Sequence, residues 1–243
     1  MPSPVTETDV RQHLAVDAGS PLLPSSLPPL PPAERDAILT GISSSYFRLR
    51  RGLAVVTLAF PVALWLAAGA HALPGSLSAY YYLNAAAARD VFVGVLWTIG
   101  SFLFFYRGYS GAENRALNVA GLAAVVVSLS PMDWPAGSAV SLHGRVHAGA
   151  AIVFFLCVAY VAIFRSGDTL ALLPEATARG FRWTYRVLGA LLVAAPLSVA
   201  AIHALAPRPD SPMVWAIEVA GTTVFAVFWL VKSREIALIE QPA

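Results

Sequence analysis

The sequence VHAGAAIVFFLCVAYVAIFR, at residues 146–165, decides the fold class, because it has one histidine near its start, one arginine at its end and apolar or small residues between them. An α-helix rises about 1.5 Å per residue, so a helix of this length is about as long as the hydrocarbon core of a bilayer is thick. The stretch therefore predicts a transmembrane helix. Five further apolar runs are similar to it, and the six predicted spans are 53–73, 91–107, 116–131, 146–165, 187–206 and 213–232.

The composition of the whole chain fits the same interpretation. Of the 243 residues, 57% are hydrophobic and 12% are charged, whereas about a quarter of the residues of a soluble domain are charged. We therefore predict an all-α polytopic membrane protein, a bundle of six transmembrane helices that contacts membrane lipids. A formal net charge of +2 provides no large basic surface and argues against nucleic acid as a partner. The single Cys157 lies within an apolar run, which excludes a disulfide within the chain and a cysteine metal cage.

The segments outside the spans define the remaining predicted domains. Residues 1–31 are polar and proline-rich, which disfavours a helix and predicts a disordered tail; binding of a partner domain to the prolines is the alternative. Over residues 32–51 the apolar side chains recur at helical spacing, which predicts an amphipathic helix at the membrane surface. The predicted domains are a cytoplasmic tail at 1–31, an interfacial helix at 32–51, a six-helix transmembrane domain at 52–235 and a cytoplasmic tail at 236–243.

The distribution of lysine and arginine predicts the orientation of the chain. With six spans, Arg89, Arg145 and Arg208 fall on one side of the membrane, and the other thirteen of the 16 Lys and Arg residues fall on the opposite side. Basic residues concentrate in cytoplasmic loops, so both termini are predicted to be cytoplasmic.

In this orientation, four of the five histidines and the carboxylates of Asp90, Asp133 and Glu218 lie at the outer end of the bundle. Glu218 is the most informative of them, because it lies five residues, or about 7 Å, beyond Met213 at the start of the sixth span. A carboxyl group at that depth is unfavourable unless it faces the bundle interior and is protonated, paired or bound to a metal, so it predicts a functional site. Two structural alternatives remain open: a protonated Glu218 that bonds to Thr222, and a shallow carboxylate reached by interfacial water.

A pair of histidines lies at the same end of the bundle. His143 and His147 are four residues apart, so both imidazoles lie on one helix face and can reach one metal ion. Zinc prefers nitrogen and oxygen ligands, and His203 or Glu218 would supply a third ligand. Asp90 or Glu218 would act as the general base on metal-bound water. The alternatives are histidines that lie at the interface without a ligand role, and an Asp90 that caps the second helix.

Several short motifs resemble those of a known family. They are SLSAYYY at 76–82, RDVFVG at 89–94, FLFFYRGY at 102–109, Glu-Asn-x-x-x-Asn at 113–118 and WLVK at 229–232. This pattern is similar to that of a family of uncharacterised bacterial six-span membrane proteins. The resemblance covers most of residues 53–232 and implies a multi-pass protein of the bacterial inner membrane, but it implies no activity.

A second resemblance is to the membrane hydrolase superfamily of alkaline ceramidases and adiponectin-type receptors, in which a serine, an aspartate and three histidines surround zinc. The residues that carry it are Ser78, Asp90, His143 and His147. Tyr82 occupies the position of one histidine of that pattern, and the superfamily has seven spans rather than six. The resemblance implies hydrolysis of a lipid amide if Glu218 or His203 replaces the missing ligand.

The leading hypothesis is a zinc-dependent hydrolase of a lipid or amphiphile, with its polar site near the outer leaflet. The rival is a transporter or other lipid-handling protein, in which Glu218 and Asp90 bind a proton or a cationic substrate and no bond is broken. A haem protein and a purely structural assembly partner are further hypotheses. Transmembrane electron transfer usually needs histidines at both faces, and the predicted inner face has none.

Overall fold

The computed structural model describes residues 31–70, 73–83, 85–135, 138–205 and 212–239. The predicted tail up to residue 30, Arg208 and residues 240–243 lie outside the described residues. The chain divides into one unit that ends at Ser44 and a larger unit that begins at Ser45. Apart from the bounds of the first helix, all contacts reported below lie within the larger unit.

The regular structure is entirely helical, and the described ranges contain no strand, which confirms the predicted all-α fold. The α-helices of these ranges are Pro32–Ala67 (α1), Ala85–Phe105 (α2), Gly111–Leu129 (α3), Leu142–Tyr160 (α4), Glu175–Leu205 (α5) and Pro212–Ile239 (α6). The shorter elements are a 3₁₀-helix at Ser78–Tyr82, a π-helical turn at Val161–Arg165 and a 3₁₀-helix at Ser166–Leu172.

Five helical segments among the described residues are long and apolar enough to cross a membrane. They are Ala33–Ala67, Ala86–Phe105, Leu142–Leu172, Glu175–Leu205 and Pro212–Ile239. Many of their apolar side chains are exposed on the protein surface, such as Leu191 and Leu197 of α5, and large apolar surfaces of this kind are typical of membrane contact. These helices therefore indicate a multi-pass membrane protein.

The sixth predicted span, at 116–131, falls on α3. This helix is not among the five segments, and Glu113 and Arg115 lie in its first turns. A sixth crossing and the cytoplasmic location of both termini therefore remain predictions.

Two predicted boundaries differ from those in the structure. The predicted interfacial helix at 32–51 and most of the first predicted span form one helix, α1. The helix α2 begins at Ala85, before the predicted start at residue 91, because residues 85–88 are four alanines and alanine is the strongest helix former. Asp90 therefore lies inside α2, and the interpretation of this residue as the N-cap was wrong.

Helices α2 and α3 approach each other closely at two glycines. A Cβ atom on Gly121 would lie 2.5 Å from the carbonyl oxygen of Gly100, and a Cβ atom on Gly100 would lie 2.8 Å from the carbonyl oxygen of Gly121. Neither position can hold a larger residue without movement of the backbone. Small residues that allow close helix contact are common in membrane proteins, where no hydrophobic force drives helices together.

Residues 73–83, between α1 and α2, are folded into one end of the bundle. Leu77 and Tyr80 are 4% and 0% exposed, and they pack in a cluster with Phe60 of α1 and Phe92 of α2. A buried turn of this kind must find hydrogen-bond partners for its backbone N–H groups. This requirement places residues 76–78 against polar side chains of other helices.

Candidate functional site

A cavity of about 690 Å³ lies at this end of the bundle. Its volume is in the range of small-molecule binding sites. Most of its wall is apolar, and the aromatic lining residues are Phe60, Phe92, Trp134, Phe154, Phe155 and Phe225. The polar lining residues are Thr57, Ser76, Ser78, Asp133, Ser138, Arg145, His147, His203, Glu218 and Thr222. An apolar cavity with a small number of polar side chains fits an amphiphile better than a freely soluble polar metabolite.

Glu218 is fixed by the buried turn. Its carboxylate oxygens lie 3.0 and 2.9 Å from the hydroxyl oxygen of Ser76, and one of them accepts a hydrogen bond from the backbone N–H of Leu77 at 2.6 Å. Ser76 is only 6% exposed. The hydroxyl of Thr222 instead lies 3.1 and 2.9 Å from the backbone carbonyls of Glu218 and Val219. The alternative in which Thr222 binds the carboxyl group was therefore wrong.

His147 is the second polar side chain fixed by this turn. Its Nδ1 atom lies 2.8 Å from the carbonyl oxygen of Ser130 and 3.2 Å from that of Val127. Carbonyl oxygens only accept hydrogen bonds, so Nδ1 must carry a proton. The other ring nitrogen, Nε2, lies 3.0 Å from the hydroxyl oxygen of Ser78. In the neutral ring, Nε2 therefore accepts the hydrogen bond of that hydroxyl.

Residues 76–78 thus connect two predicted site residues that are far apart in sequence. The Ser76 hydroxyl bonds to Glu218 of α6, and the Ser78 hydroxyl bonds to His147 of α4. The backbone N–H of Ser78 donates to the Ser76 hydroxyl oxygen at 3.1 Å, which fixes the two serines relative to each other. A small polar cluster results on the wall of the apolar cavity.

The other predicted site residues are placed differently. His203 lines the same cavity, near the end of α5. His143 and Asp90 are exposed, and neither belongs to the cavity lining. The carboxylate of Asp90 lies 3.8 Å from Arg89, its neighbour in sequence. Asp90 therefore does not share the cavity with His147 and Glu218.

The predicted zinc ligands do not form a compact group. Within the part of the chain that the structure describes, no three His, Cys, Asp or Glu side chains are grouped so that they could hold a metal ion. His143 and His147 lie on one helix, but only His147 faces the cavity, and both of its ring nitrogens already have protein partners. A zinc site at these residues remains a prediction.

A second buried polar cluster lies at the opposite end of the bundle. Lys232 and Glu235 of α6 are 2% and 0% exposed, and the ammonium nitrogen lies 3.0 Å from a carboxylate oxygen. Glu235 also accepts hydrogen bonds from the hydroxyls of Thr169 and Tyr185. Lys232 donates to Thr169 at 2.8 Å and to the carbonyl of Ser166 at 3.2 Å. The sequence interpretation counted Lys232 among the basic residues of this side but did not predict the pair; its sequence signal is Lys232-x-x-Glu235, one helical turn apart.

Arg50 of α1 is also buried at this end, with 1% exposure. Its guanidinium lies over the ring of Tyr46, 4.4 Å from the ring centre, and 3.4 Å from the hydroxyl of Tyr109. Two of its nitrogens, Nε and Nη1, have no hydrogen-bond partner among the described residues. Contact with aromatic faces stabilises such a cation. The sequence interpretation counted Arg50 only among the thirteen basic residues of the predicted cytoplasmic side, and it did not predict that this side chain is buried.

Comparison with known proteins assigns no function to either cluster: no family model, no curated protein and no solved structure matches the chain.

Proposed function

We propose that the protein binds a membrane amphiphile in the apolar cavity, with the polar group of the amphiphile at Glu218. The observation that carries this proposal is the position of that carboxyl group, which lies on the wall of a cavity of about 690 Å³ whose lining is mostly apolar. A carboxyl group with two oxygens has more acceptor positions than Ser76 and Leu77 occupy. A ligand with a hydroxyl or amine head can donate to the remaining positions.

The same proposal includes the topology. Six spans, α1 to α6, cross the inner membrane of a bacterium, both termini are cytoplasmic, and the cavity lies in the outer half of the bilayer. The thirteen-to-three distribution of Lys and Arg supports this orientation. The resemblance to bacterial six-span proteins supports the same location. A lipid-handling role, without a metal, fits Glu218 but not Asp90, because the latter lies outside the cavity lining.

A zinc-dependent hydrolase remains the second candidate. His147, His203 and Glu218 line one cavity, so one bound ligand can contact all three side chains. Elemental analysis of the purified protein, with and without one added equivalent of zinc, tests it. Stoichiometric zinc that is lost in His147→Ala would favour this candidate.

The amphiphile proposal is tested by photo-crosslinking. The intact protein in phosphatidylcholine nanodiscs is irradiated with a long-chain alcohol that contains a diazirine in its chain, and the labelled peptides are mapped by mass spectrometry. We expect labels on the cavity residues of α4 and α6, among them Phe154, Phe155 and Phe225.

A matched pair of variants on α4 provides the control. Ala151 lines the cavity, whereas Leu156 is 42% exposed and does not belong to the lining. We expect Ala151→Trp to fill the cavity and to remove the labels, and Leu156→Trp to leave them unchanged. Equal labelling of both variants would show that the probe reacts from the surrounding lipid, and the proposal would fail.

A further inference from the structure

We propose that Ser78 is a nucleophile for the cleavage of a carboxylic ester of a long-chain amphiphile, and that His147 is its general base. This inference rests on the proposed binding of an amphiphile and adds a reaction to the same site. It is carried by one juxtaposition: the hydroxyl of Ser78, on the wall of an apolar cavity, lies 3.0 Å from a buried imidazole nitrogen whose other ring nitrogen is fixed by backbone carbonyls.

The imidazole is prepared for this role by its surroundings. The Nδ1 atom donates to the carbonyls of Ser130 and Val127, which fixes both the ring orientation and the tautomer. The lone pair of Nε2 therefore points to the Ser78 hydroxyl. A nucleophile, a base within hydrogen-bond reach and a third group that orients the base are the three parts of an activated serine site. Here backbone carbonyls take the part of the orienting carboxylate.

The serine is both held and accessible. Ser78 begins the 3₁₀-helix Ser78–Tyr82, and its backbone N–H donates to the hydroxyl oxygen of Ser76 at 3.1 Å. Both Ser78 and His147 belong to the cavity lining, and His147 is only 7% exposed. A bound chain can therefore reach the hydroxyl, and little of the imidazole beside it is open to solvent.

The reaction proceeds in two balanced steps. The Ser78 oxygen forms a bond to the carbonyl carbon of the ester, its proton moves to Nε2 of His147, the bond between the carbonyl carbon and the alkoxy oxygen breaks, and the proton passes to the departing alcohol. A water molecule then attacks the acyl-serine, gives a proton to His147 and releases the carboxylic acid. Ser78 takes the proton back. No oxidant, metal or cofactor enters the balance.

The substrate class follows from the lining. An acyl or alkyl chain fits the apolar wall formed by residues such as Phe154 and Phe225, and a hydroxyl or amine on the other part of the molecule can donate to Glu218. Glu218 accepts hydrogen bonds from Ser76 and Leu77, the two residues that precede Ser78. The polar head and the reactive serine are thus neighbours along one turn.

The test uses a dodecyl fluorophosphonate on the intact protein in detergent. In this reaction the Ser78 oxygen forms a bond to phosphorus, the phosphorus–fluorine bond breaks, fluoride departs and the hydroxyl proton goes to His147. We expect an adduct on the peptide that contains Ser78 and no adduct on Ser138, which lines the same cavity but donates its hydroxyl to the carbonyl of Pro135 at 2.6 Å. Locating the adduct needs only the wild-type protein, so this result does not depend on the folding of a variant.

Three variants complete the test. Ser78→Ala should remove the adduct. His147→Gln, which cannot act as a base, should slow labelling about a hundredfold or more, in the range of general-base contributions. Ser198→Ala removes an exposed hydroxyl of α5 outside the cavity lining and should leave the rate unchanged.

The outcomes separate the two proposals. An unlabelled wild type, an adduct on another residue, or His147→Gln at the wild-type rate would overturn the assignment of Ser78 and His147. If the same preparation still takes up the diazirine alcohol in its cavity, amphiphile binding stands without this reaction. If it takes up neither probe, the proposed function falls as well.

Discussion

Lys232 and Glu235 form an ion pair that is removed from solvent, with 3.0 Å between the ammonium nitrogen and a carboxylate oxygen. The two side chains are 2% and 0% exposed. Their remaining hydrogen-bond positions are occupied by hydroxyls of Thr169 and Tyr185 and by a backbone carbonyl. A pair satisfied in this way contributes little net stability as a unit, but loss of one partner leaves the other charge buried without compensation.

We therefore expect Lys232→Met to destabilise the protein by about 3 kcal/mol, because it isolates Glu235. Lys232→Met combined with Glu235→Gln should recover part of the loss. Thermal unfolding in detergent measures both. The control is Arg179→Met, which breaks an exposed pair with Glu175 on α5 and should cost no more than about 1 kcal/mol. If Lys232→Met and Arg179→Met lower the stability equally, the conclusion that the pair of Lys232 and Glu235 is buried is wrong.

The contact between α2 and α3 gives a second prediction. Gly121→Ala would place a Cβ atom 2.5 Å from the carbonyl oxygen of Gly100, so the helices must separate. We expect a loss of about 1 to 3 kcal/mol, the usual range for overpacking. Gly94→Ala, on α2, meets no atom within 4 Å and should be neutral or stabilising, because alanine is the better helix former. Melting temperatures of the two variants, compared with wild type, test the difference in sign.

The sequence predicted the positions of the helices better than the hydrogen-bond partners of the polar side chains on them. The run at 146–165 predicts a helix because its apolar length matches a bilayer, and α4 together with the π-helical turn Val161–Arg165 covers all of it. The depth of Glu218 predicted a polar side chain inside the bundle, and Glu218 lines the cavity. Its partner could not be predicted, because Ser76 is 142 residues away in sequence and lies in a turn whose path depends on the packing of Leu77 and Tyr80.

The buried ion pair was missed for a related reason. A lysine and a glutamate one turn apart, at the end of an apolar run, are usually solvated and carry little information about burial. Thr169 and Tyr185, from other segments of the chain, pack against the two side chains and remove the pair from solvent. The local sequence thus shows which residues are polar and how deep they lie along a helix, whereas tertiary packing determines which polar side chains contact each other.

A third prediction concerns pH. Asp133 accepts a hydrogen bond from the backbone N–H of Ser141 at 3.1 Å, and bonds from the side chain and backbone of Ser141 lower the pKa of this carboxyl below its ordinary value of 3.8. A carboxyl whose pKa is lowered by folding stabilises the fold above its unfolded pKa, and this contribution is lost as the pH falls through the folded value.

The melting temperature of the wild type should therefore decrease at pH values below about 4. The melting temperature of Asp133→Asn should lack this part of the decrease. The two proteins should differ most near neutral pH and converge in acid. Melting curves between pH 7 and pH 2.5 test the prediction. A difference that grows in acid would contradict it.

The last prediction separates the roles of the carboxyl group and of the apolar wall of the cavity. Glu218→Gln keeps the size of the side chain but replaces an acceptor oxygen by a donor NH₂ group, so a ligand with an amine head loses a hydrogen bond, whereas contacts with its chain remain. Hydrogen bonds to charged groups contribute about 1.5 to 3 kcal/mol, so the affinity for an amine should fall about tenfold or more.

The measurement is competition against the diazirine alcohol in nanodiscs, with hexadecylamine and hexadecane as competitors. Hexadecylamine should need about tenfold higher concentration to suppress labelling in Glu218→Gln than in wild type, and hexadecane should compete equally in both. Glu175→Gln removes an exposed carboxylate that pairs with Arg182 on α5, and it should leave both competitors unchanged. If the amine loses no affinity in Glu218→Gln, its head does not bind Glu218, and the cavity selects ligands by chain length alone.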